Sequence, residues 1–369
     1  MRILIVGAGI AGLATCRALS QRGFQPRIVE RNNLAGVGGA ALFLPGNGVR
    51  ALGELGLRDA LMEISYPISH QRFFDEEGRL LSEIDADEFW RGVAPCRSMK
   101  RSALWELLKD GVSDGVIQHR HILDISSGRY CSRVTFQDGE TEEYDLVIGA
   151  DGVNSTVRRS VFPEAPAPQY VGNVCWRSIV PNICHIKQWT LMLGTTKSLL
   201  FEPVSSSELY VYADKSADEK HRKSYSPATP LRPLFEDIAG PLCPVLELCA
   251  QAQVHYGELM SLQLDSWCRN RVVLVGDAAH ASPPSMAQGA SMAVEDAIVL
   301  ANELADALCV DTALLRYQTR RKKRVDWVHR QCVSRDKMRR FPRRLRNVLL
   351  RFAGTHFYQR SYGPLTAQI

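Results

Sequence analysis

Arg2-Ile3-Leu4-Ile5-Val6-Gly7-Ala8-Gly9-Ile10-Ala11-Gly12 opens the chain after Met1, and the order of residue types in this stretch decides the fold. Ile3 to Val6 form a continuous apolar run, as a parallel strand buried on both faces requires. The glycines that follow have G-x-G-x-x-G spacing. Gly7 permits a sharp turn, Gly9 lets a pyrophosphate approach the backbone, and Gly12 lets the next helix pack close to the sheet. Leu13 to Ser20 continue as a helix ending near Gly23, and Pro26 to Glu30 supply the second strand. A diphosphate would rest against the positive N-terminus of that helix. Glu30, at the end of the second strand, is placed to accept hydrogen bonds from a ribose hydroxyl. Glycines alone would serve a tight turn; with strand, helix and acidic residue in place they predict dinucleotide binding. NAD and FAD are not separated, since both carry adenosine diphosphate.

Two later strands have distinctive ends. Asp145–Gly149 runs into Ala150-Asp151-Gly152, and Arg271–Val275 runs into Gly276-Asp277. A helix is expected from about Gln288 to Leu308, with Ala293, Ala297, Leu300 and Leu304 at roughly helical spacing. Between these strands, Tyr170–Pro181, Trp189–Pro203 and Glu208–Ala213 are rich in Val, Tyr, Trp and Thr, the composition of strands. The expected organisation is a nucleotide-binding domain from residues 1–65, 96–167 and 266–315. A β-sheet substrate domain from 66–95 and 168–265 is inserted into it, and a basic helical segment, 316–369, closes the chain.

The 369 residues are 45% hydrophobic and 23% charged, as in ordinary globular enzymes, and no apolar run is long enough to span a bilayer. The first strand starts directly after Met1, so no leader peptide is expected. The ten cysteines are scattered without a C-x-x-C pair, which argues against a metal site or disulfide framework and for a reduced, cytoplasmic protein. No H-x-x-H or nucleophile elbow suggests a metalloenzyme or a hydrolase triad. Charge is uneven: residues 316–351 hold fifteen Lys and Arg against two acids, so this segment carries +13 and the remainder −8. Its simplest reading is a solvated helical closing segment, with Trp327 and Val328 on the body and a break at Pro342. The sharper readings are a surface for NAD(P)H, an acyl carrier protein or membrane headgroups. Nucleic acid is not expected, because no binding module accompanies the charge.

Asp145–Arg158 reads DLVIGADGVNSTVR, and Arg271–Ala297 reads RVVLVGDAAHASPPSMAQGASMAVEDA. With Gly7–Gly12 these resemble, in order and approximate spacing, the three fingerprints of the class A flavoprotein monooxygenases, the family of para-hydroxybenzoate hydroxylase. The resemblance extends to about residue 330. It implies an α/β fold: a Rossmann-like FAD-binding domain with an inserted β-sheet substrate domain and C-terminal helices. It also implies FAD as cofactor. Gly7, Gly9, Ala11, Gly12, Glu30 and Arg31 would hold the adenosine diphosphate, with Leu123 nearby. Asp151 and Gly152 would lie near the pyrophosphate, and Asp277 after Gly276 would hold a ribityl hydroxyl. Gln288, Gly289 and Ala290 would begin a helix whose free N–H groups face the flavin's pyrimidine edge, beside Pro284. Arg101 resembles the arginine of the family's R-x-x-L-x-x-x-L helix, whose planar donor fork suits a phosphate. Gly36–Asn47 resembles the segment passing along the isoalloxazine ring, where Gly39 and Ala40 permit close approach. Ala287 stands where the family commonly has glycine, a tolerable exchange unless that backbone needs positive φ.

The resemblance further implies that NADPH or NADH reduces the flavin, that O₂ adds at C4a, and that the resulting hydroperoxide hydroxylates an aromatic small molecule. Tyr212, which shares a strand face with Tyr210, is the expected catalytic residue, orienting or deprotonating a phenol. Trp176, Phe201, Tyr210 and Pro283 are the expected substrate contacts, with Arg177 a further candidate. Glu202 reads as a base or, more simply, a solvated strand residue, and His280 as structural. Two alternatives stand beside hydroxylation. One is a flavoenzyme of the same fold doing epoxidation, dehydrogenation or halogenation, the last weakened because Trp176–Pro181 lacks the W-x-W-x-I-P pattern. The other is a non-catalytic nucleotide-binding regulator.

Overall fold

Ile3–Val6 buries all four side chains and pairs in parallel with Leu146–Gly149 on one side and Arg27–Glu30 on the other. Val272–Leu274 joins Leu146–Gly149, and Ile117–His119 joins Arg27–Glu30, both in parallel; Cys268–Arg269 adds an antiparallel edge. The computed structural model describes residues 1–32, 40–113 and 115–369. The Ile10–Gln21 helix packs on the Gly289–Asp306 helix, which buries Ser291 to Ala301 without interruption. A helix apolar or small on nearly every side is an interior one.

The second large sheet has seven strands in the order His255–Ser261, Gln169–Pro181, Glu208–Ser216, Lys197–Pro203, Trp189–Leu193, His70–Asp75, Leu80–Asp85. All pairs are antiparallel except Trp189–Leu193 with His70–Asp75. Two helices that β-rich composition does not announce, Leu231–Ala239 and Cys243–Cys249, cover one face of this sheet. The other face looks back toward the parallel sheet. A ribbon of Ala41–Leu44, Arg97–Lys100 and Tyr66–Pro67 stands between the two bodies.

Val310–Arg339 and Arg343–Thr366 are helices separated at Pro342. Much of the basic segment turns inward. Arg321 is 1% exposed and bridges two buried acids of the Gly289–Asp306 helix, donating to Asp296 at 2.8 Å and Glu295 at 2.6 Å. Arg324 also holds Glu295, Arg339 holds Asp214 of the seven-stranded sheet, and buried Arg346 reaches Glu76. The solvated reading of this segment therefore fails for these four arginines: Arg321, Arg324 and Arg339 neutralise acids that folding has removed from water, and Arg346 is itself buried against the partly exposed Glu76. No helix among the described residues is long and apolar enough to cross a membrane.

Asp296 also accepts from the Gly276 N–H at 3.0 Å and contacts His280 Nε2 at 2.6 Å, which gives His280 a structural place. Burial acts to raise the Asp296 carboxyl, but His280 and Arg321 outweigh it and hold it below its ordinary value. Arg321→Met should leave Glu295 and Asp296 buried with less charge compensation and cost about 3–5 kcal/mol. Urea unfolding of the holoprotein followed by circular dichroism measures this, and an unchanged midpoint refutes it.

Candidate active site

A groove of about 330 Å³ runs along the carboxyl ends of the parallel strands, lined by Gly7, Gly9, Ala11, Glu30, Arg31, Arg101, Asp151, Gly152, Asp277, Gly289 and Ala290 among others. This is where open α/β sheets bind ligands. Glu30 accepts from the N–H groups of Ala8 at 2.8 Å and Asn32 at 2.9 Å, which fixes its carboxylate at the rim. The three glycines of the first motif differ in what surrounds them. A Cβ on Gly12 would lie 1.9 Å from the Gly7 carbonyl oxygen, and one on Gly7 2.6 Å from that of Ala150. A Cβ on Gly9 would meet nothing within 4 Å. Gly9 therefore keeps space open at the helix N-terminus, as a bound diphosphate requires; the residues present fit FAD.

Several expected contacts serve the frame instead. Gly12 and Gly276 do not line the groove: Gly12 packs on Gly7, and Gly276 makes the turn, at φ +57°, that presents Asp277. The Asp151 carboxylate is turned inward, accepting from Ser155 Oγ at 2.5 Å and the Thr156 N–H at 2.6 Å, so it caps the Thr156–Val161 helix. The Gln288 side chain forms a reciprocal amide pair with buried Asn47, which also donates to Glu295. Gln288 is thus a strut for the helix start, while the next two residues, Gly289 and Ala290, reach the groove. Leu123 is 64% exposed and its neighbours His121 and Ile122 line the groove instead. Gly39 lies outside the described residues. Ala40 is buried against Tyr210, Tyr212 and Leu200, and its carbonyl accepts the Arg101 N–H.

A second cavity, of about 670 Å³, meets the groove at Arg101, Asp277, Gly289 and Ala290. The seven-stranded sheet contributes Cys175, Arg177, Leu200, Glu202, Tyr210, Tyr212 and Asp214; the ribbon adds Ala41, Leu42 and Phe43. The loop beside the groove contributes Ser282 and Pro284, whereas Pro283 is buried behind it. Phe73, Leu191, Leu193, Met338 and Leu350 also line the cavity and pack together as an apolar arm, in a cavity that is lined as well by the polar Gln71, Ser82, Arg346 and Arg360.

Besides Pro283, two expected substrate contacts are corrected. Trp176 and Phe201 are fully buried on the opposite face of the sheet, where Trp176 packs on Tyr225, Phe235 and Tyr256. The register explains it. Phe201 pairs with Val211 and Trp176 with Ala213, while Leu200 and Arg177 pair with Tyr212. Cross-strand partners share a face, so whatever turns Tyr212 to the cavity turns Phe201 and Trp176 away. The same alternation corrects Glu202. It is not solvated: it is 1% exposed and lines the cavity, and burial, partly offset by Ser98, pushes its carboxyl up to about 8. Tyr212 does line the cavity, but burial raises its phenol well above its ordinary value, which suits a hydrogen-bond donor and not a base.

Comparison with known proteins fits this arrangement. Fold and site together define a flavin-dependent oxidoreductase. Residues 1–331 match the family model described as FAD binding domain, and the chain belongs to that family of class A, para-hydroxybenzoate hydroxylase-like flavoprotein monooxygenases. It is 34% identical over 340 residues to the 2-heptyl-3-hydroxy-4(1H)-quinolone synthase of Pseudomonas aeruginosa, covering 90% of this chain and 87% of that protein. It is 30% identical to a 3-amino-4-hydroxybenzoate 2-monooxygenase of Streptomyces platensis, over 90% of this chain and 87% of that one. Among solved structures, 2-methyl-3-hydroxypyridine-5-carboxylic acid oxygenase superposes with a TM-score of 0.80 at 28% identity, over 94% and 95% of the two chains. Klebsiella pneumoniae HpxO, solved with FAD and uric acid, has the same fold: TM-score 0.88, 24% identity, covering 100% of this chain and 97% of that one. The protein is an FAD-dependent monooxygenase, an α/β enzyme with a Rossmann-like FAD-binding fold.

The Gly9 and Gly12 environments predict opposite phenotypes. Gly9→Val should fold normally yet weaken FAD binding by roughly 100-fold in a fluorescence titration. Gly12→Ala should cost roughly 3 kcal/mol of stability or more, because a backbone oxygen cannot move aside. Equal behaviour of the two variants refutes the distinction. Ala287 has φ +48° and ψ +38°, so the family's glycine position does need the left-handed region here. Ala287→Gly should raise stability by about 1 kcal/mol, seen as a higher thermal midpoint.

Proposed function

We propose that this enzyme uses NADPH or NADH and O₂ to hydroxylate an electron-rich heteroaromatic or phenolic ring, and that its substrate is of 4-quinolone type with an apolar substituent. The observation that carries the reading is the junction of groove and cavity at Arg101, Asp277, Gly289 and Ala290. A flavin whose adenosine diphosphate lies in the groove would present its ring system at that junction. FAD, once reduced, supplies an electrophilic oxygen atom derived from O₂.

The chain's own residues bind, orient and exclude water. Arg101 is half-buried, with a buried Nε that has no partner, and lies within electrostatic reach of Asp277 and Arg177. Burial lowers this guanidinium from its ordinary value, yet arginine stays charged. It is suited to a cofactor phosphate or to negative charge at the flavin rim. Tyr210 and Tyr212 offer phenolic donors from one wall, and Leu42, Phe43 and Trp189 supply apolar surface. A dry cavity strengthens each of these polar contacts and protects a reactive oxygen donor from water. The apolar arm at Leu191, Leu193 and Leu350 supports a substrate with an alkyl substituent. The Pseudomonas aeruginosa relative, by its name, makes an alkylated hydroxyquinolone.

The test is oxygen uptake and reductant oxidation by the holoenzyme with 2-heptyl-4-quinolone, 4-quinolone and 4-hydroxybenzoate. The expected result is quinolone-dependent consumption with one atom of labelled O₂ in the product, and tighter binding of the alkylated compound. Reductant oxidation without oxygen incorporation into any quinolone would defeat the proposal.

A further inference from the structure

Glu202 stands out among the buried groups. It sits in the Lys197–Pro203 strand at the cavity wall, opposite the ribbon that carries Ser98. Its Oε1 is buried without a well-formed hydrogen bond; the nearest donor is the Ser98 hydroxyl, which likewise lacks a well-formed partner but lies close enough to hold the carboxyl slightly down. A carboxyl removed from water and left with an unsatisfied oxygen costs stability unless a ligand completes it. Nothing in the FAD groove does so, because Glu202 lines the cavity alone.

The groups that face it come from three elements. Tyr210 is its cross-strand partner on Glu208–Ser216. On Gln169–Pro181, Arg177 and Cys175 also line the cavity, and Tyr210 lies within electrostatic reach of Arg177, Glu202 and Cys175 together. Burial raises the Cys175 thiol to about 11, so it stays neutral. On the ribbon, Ser98 is the polar neighbour, while Lys100 is engaged by Glu208 at 2.7 Å. Arg177 keeps a buried Nε without a partner. Glu202 and Arg177 therefore lie on one face with a single strand between their own, two residues out of register because they pair with Tyr210 and Tyr212, which sets them roughly 12 Å apart at the backbone. One wall of the cavity thus offers an unpaired proton acceptor and an unpaired cation.

From this juxtaposition we infer that Glu202 and Arg177 form a subsite for a vinylogous amide, a ring N–H conjugated to a ring carbonyl, with Glu202 receiving the N–H proton. The inference rests on the heteroaromatic reading above and deepens it. The step balances as follows. The ring N–H bond breaks, its proton passes to the Glu202 carboxylate, and the electron pair delocalises onto the carbonyl oxygen facing Arg177 and the carbon between. That carbon then bonds to the electrophilic oxygen that NAD(P)H and O₂ supply. It loses its own hydrogen as a proton to the hydroxide left by the second oxygen atom of O₂, giving water, and Glu202 returns its proton to the ring nitrogen. A carboxyl that titrates near 8 is matched to this task at neutral pH, where general bases work best near the ambient pH. The sign follows: the acid is neutral below about 8 and inactive as a base, so kcat/KM should rise as pH increases through that value.

Glu202→Gln keeps the volume and removes the base. Three measurements on the holoenzyme test the subsite. In difference infrared spectra, the wild type should lose a protonated-carboxyl band between pH 7 and 9 that Glu202→Gln lacks at every pH. In titrations followed by flavin absorbance at pH 9, 4-quinolone should bind the wild type roughly 10–100-fold more tightly than N-methyl-4-quinolone, and Glu202→Gln should bind both alike. In turnover of 4-quinolone, Glu202→Gln should lose roughly 10²–10⁴-fold in kcat/KM together with the rise toward pH 8, and Glu202→Asp should restore part of it. Arg177→Met should weaken binding of both ligands. A wild type that turns over 4-quinolone with a pH profile unchanged in Glu202→Gln overturns the subsite and leaves the proposed function standing. Identical infrared spectra, or equal preference for the N-methyl compound, overturn it as well. A wild type that oxidises neither 4-quinolone nor 2-heptyl-4-quinolone overturns the heteroaromatic reading and this inference with it.

Discussion

A buried arginine between two adjacent acids holds the cofactor groove in shape. Arg321 reaches back from the Val310–Arg339 helix to Glu295 and Asp296, all three essentially without solvent exposure. Each acid then extends the constraint toward the groove. Asp296 accepts the Gly276 N–H and so fixes the turn that aims Asp277. Glu295 accepts from Asn47, which is paired with Gln288, and so fixes the start of the helix that exposes Gly289 and Ala290. Two separate walls of the groove are thereby referred to one guanidinium. Such clusters offer little net stability over a hydrophobic core because desolvation is costly; what this one supplies is position.

The second constraint is the pairing register of the seven-stranded sheet. Its outer face is closed by Trp176, Phe201 and Phe235 with the Leu231–Ala239 and Cys243–Cys249 helices. Its inner face, covered at one end by Met338 and Leu350 of the two C-terminal helices, becomes the wall of the cavity elsewhere and carries the polar groups Arg177, Glu202, Tyr210, Tyr212 and Asp214. Those groups are withdrawn from water, so the charges and hydrogen bonds among them act at low dielectric. Arg339 anchors this sheet to the long C-terminal helix through Asp214. The same helix carries Arg321, which links the cavity wall mechanically to the cofactor groove.

The FAD motifs were legible because their chemistry is local. A strand, a glycine turn and a helix N-terminus are contiguous, so Gly7, Gly9 and Glu30 could be assigned from spacing, Asp277 followed from the family resemblance, and all four line one groove. The misplacements share one cause. Phe201 and Trp176 were expected at the cavity because they lie on strands of the sheet that the resemblance places over the flavin, but strand residues alternate in face and one step reverses the assignment. Glu202, read as solvated, sits one residue from Phe201 and takes the cavity place assigned to it. Asp151 and Gln288 were recognised as motif residues, yet their side chains serve capping and pairing that only the fold reveals.

The sequence by itself determined the α/β class, the flavin fingerprints, and the presence of a β-rich insertion and a basic helical end. These follow from backbone requirements and periodicity within short windows. Only the tertiary structure decided which sheet face meets the groove, which arginines of the basic segment are interior, and that a carboxyl and a guanidinium share the cavity wall. Those outcomes depend on strand register and on the packing of elements far apart in the chain. There, burial and pairing free energies, summed over many long-range contacts, outweigh what any local pattern encodes.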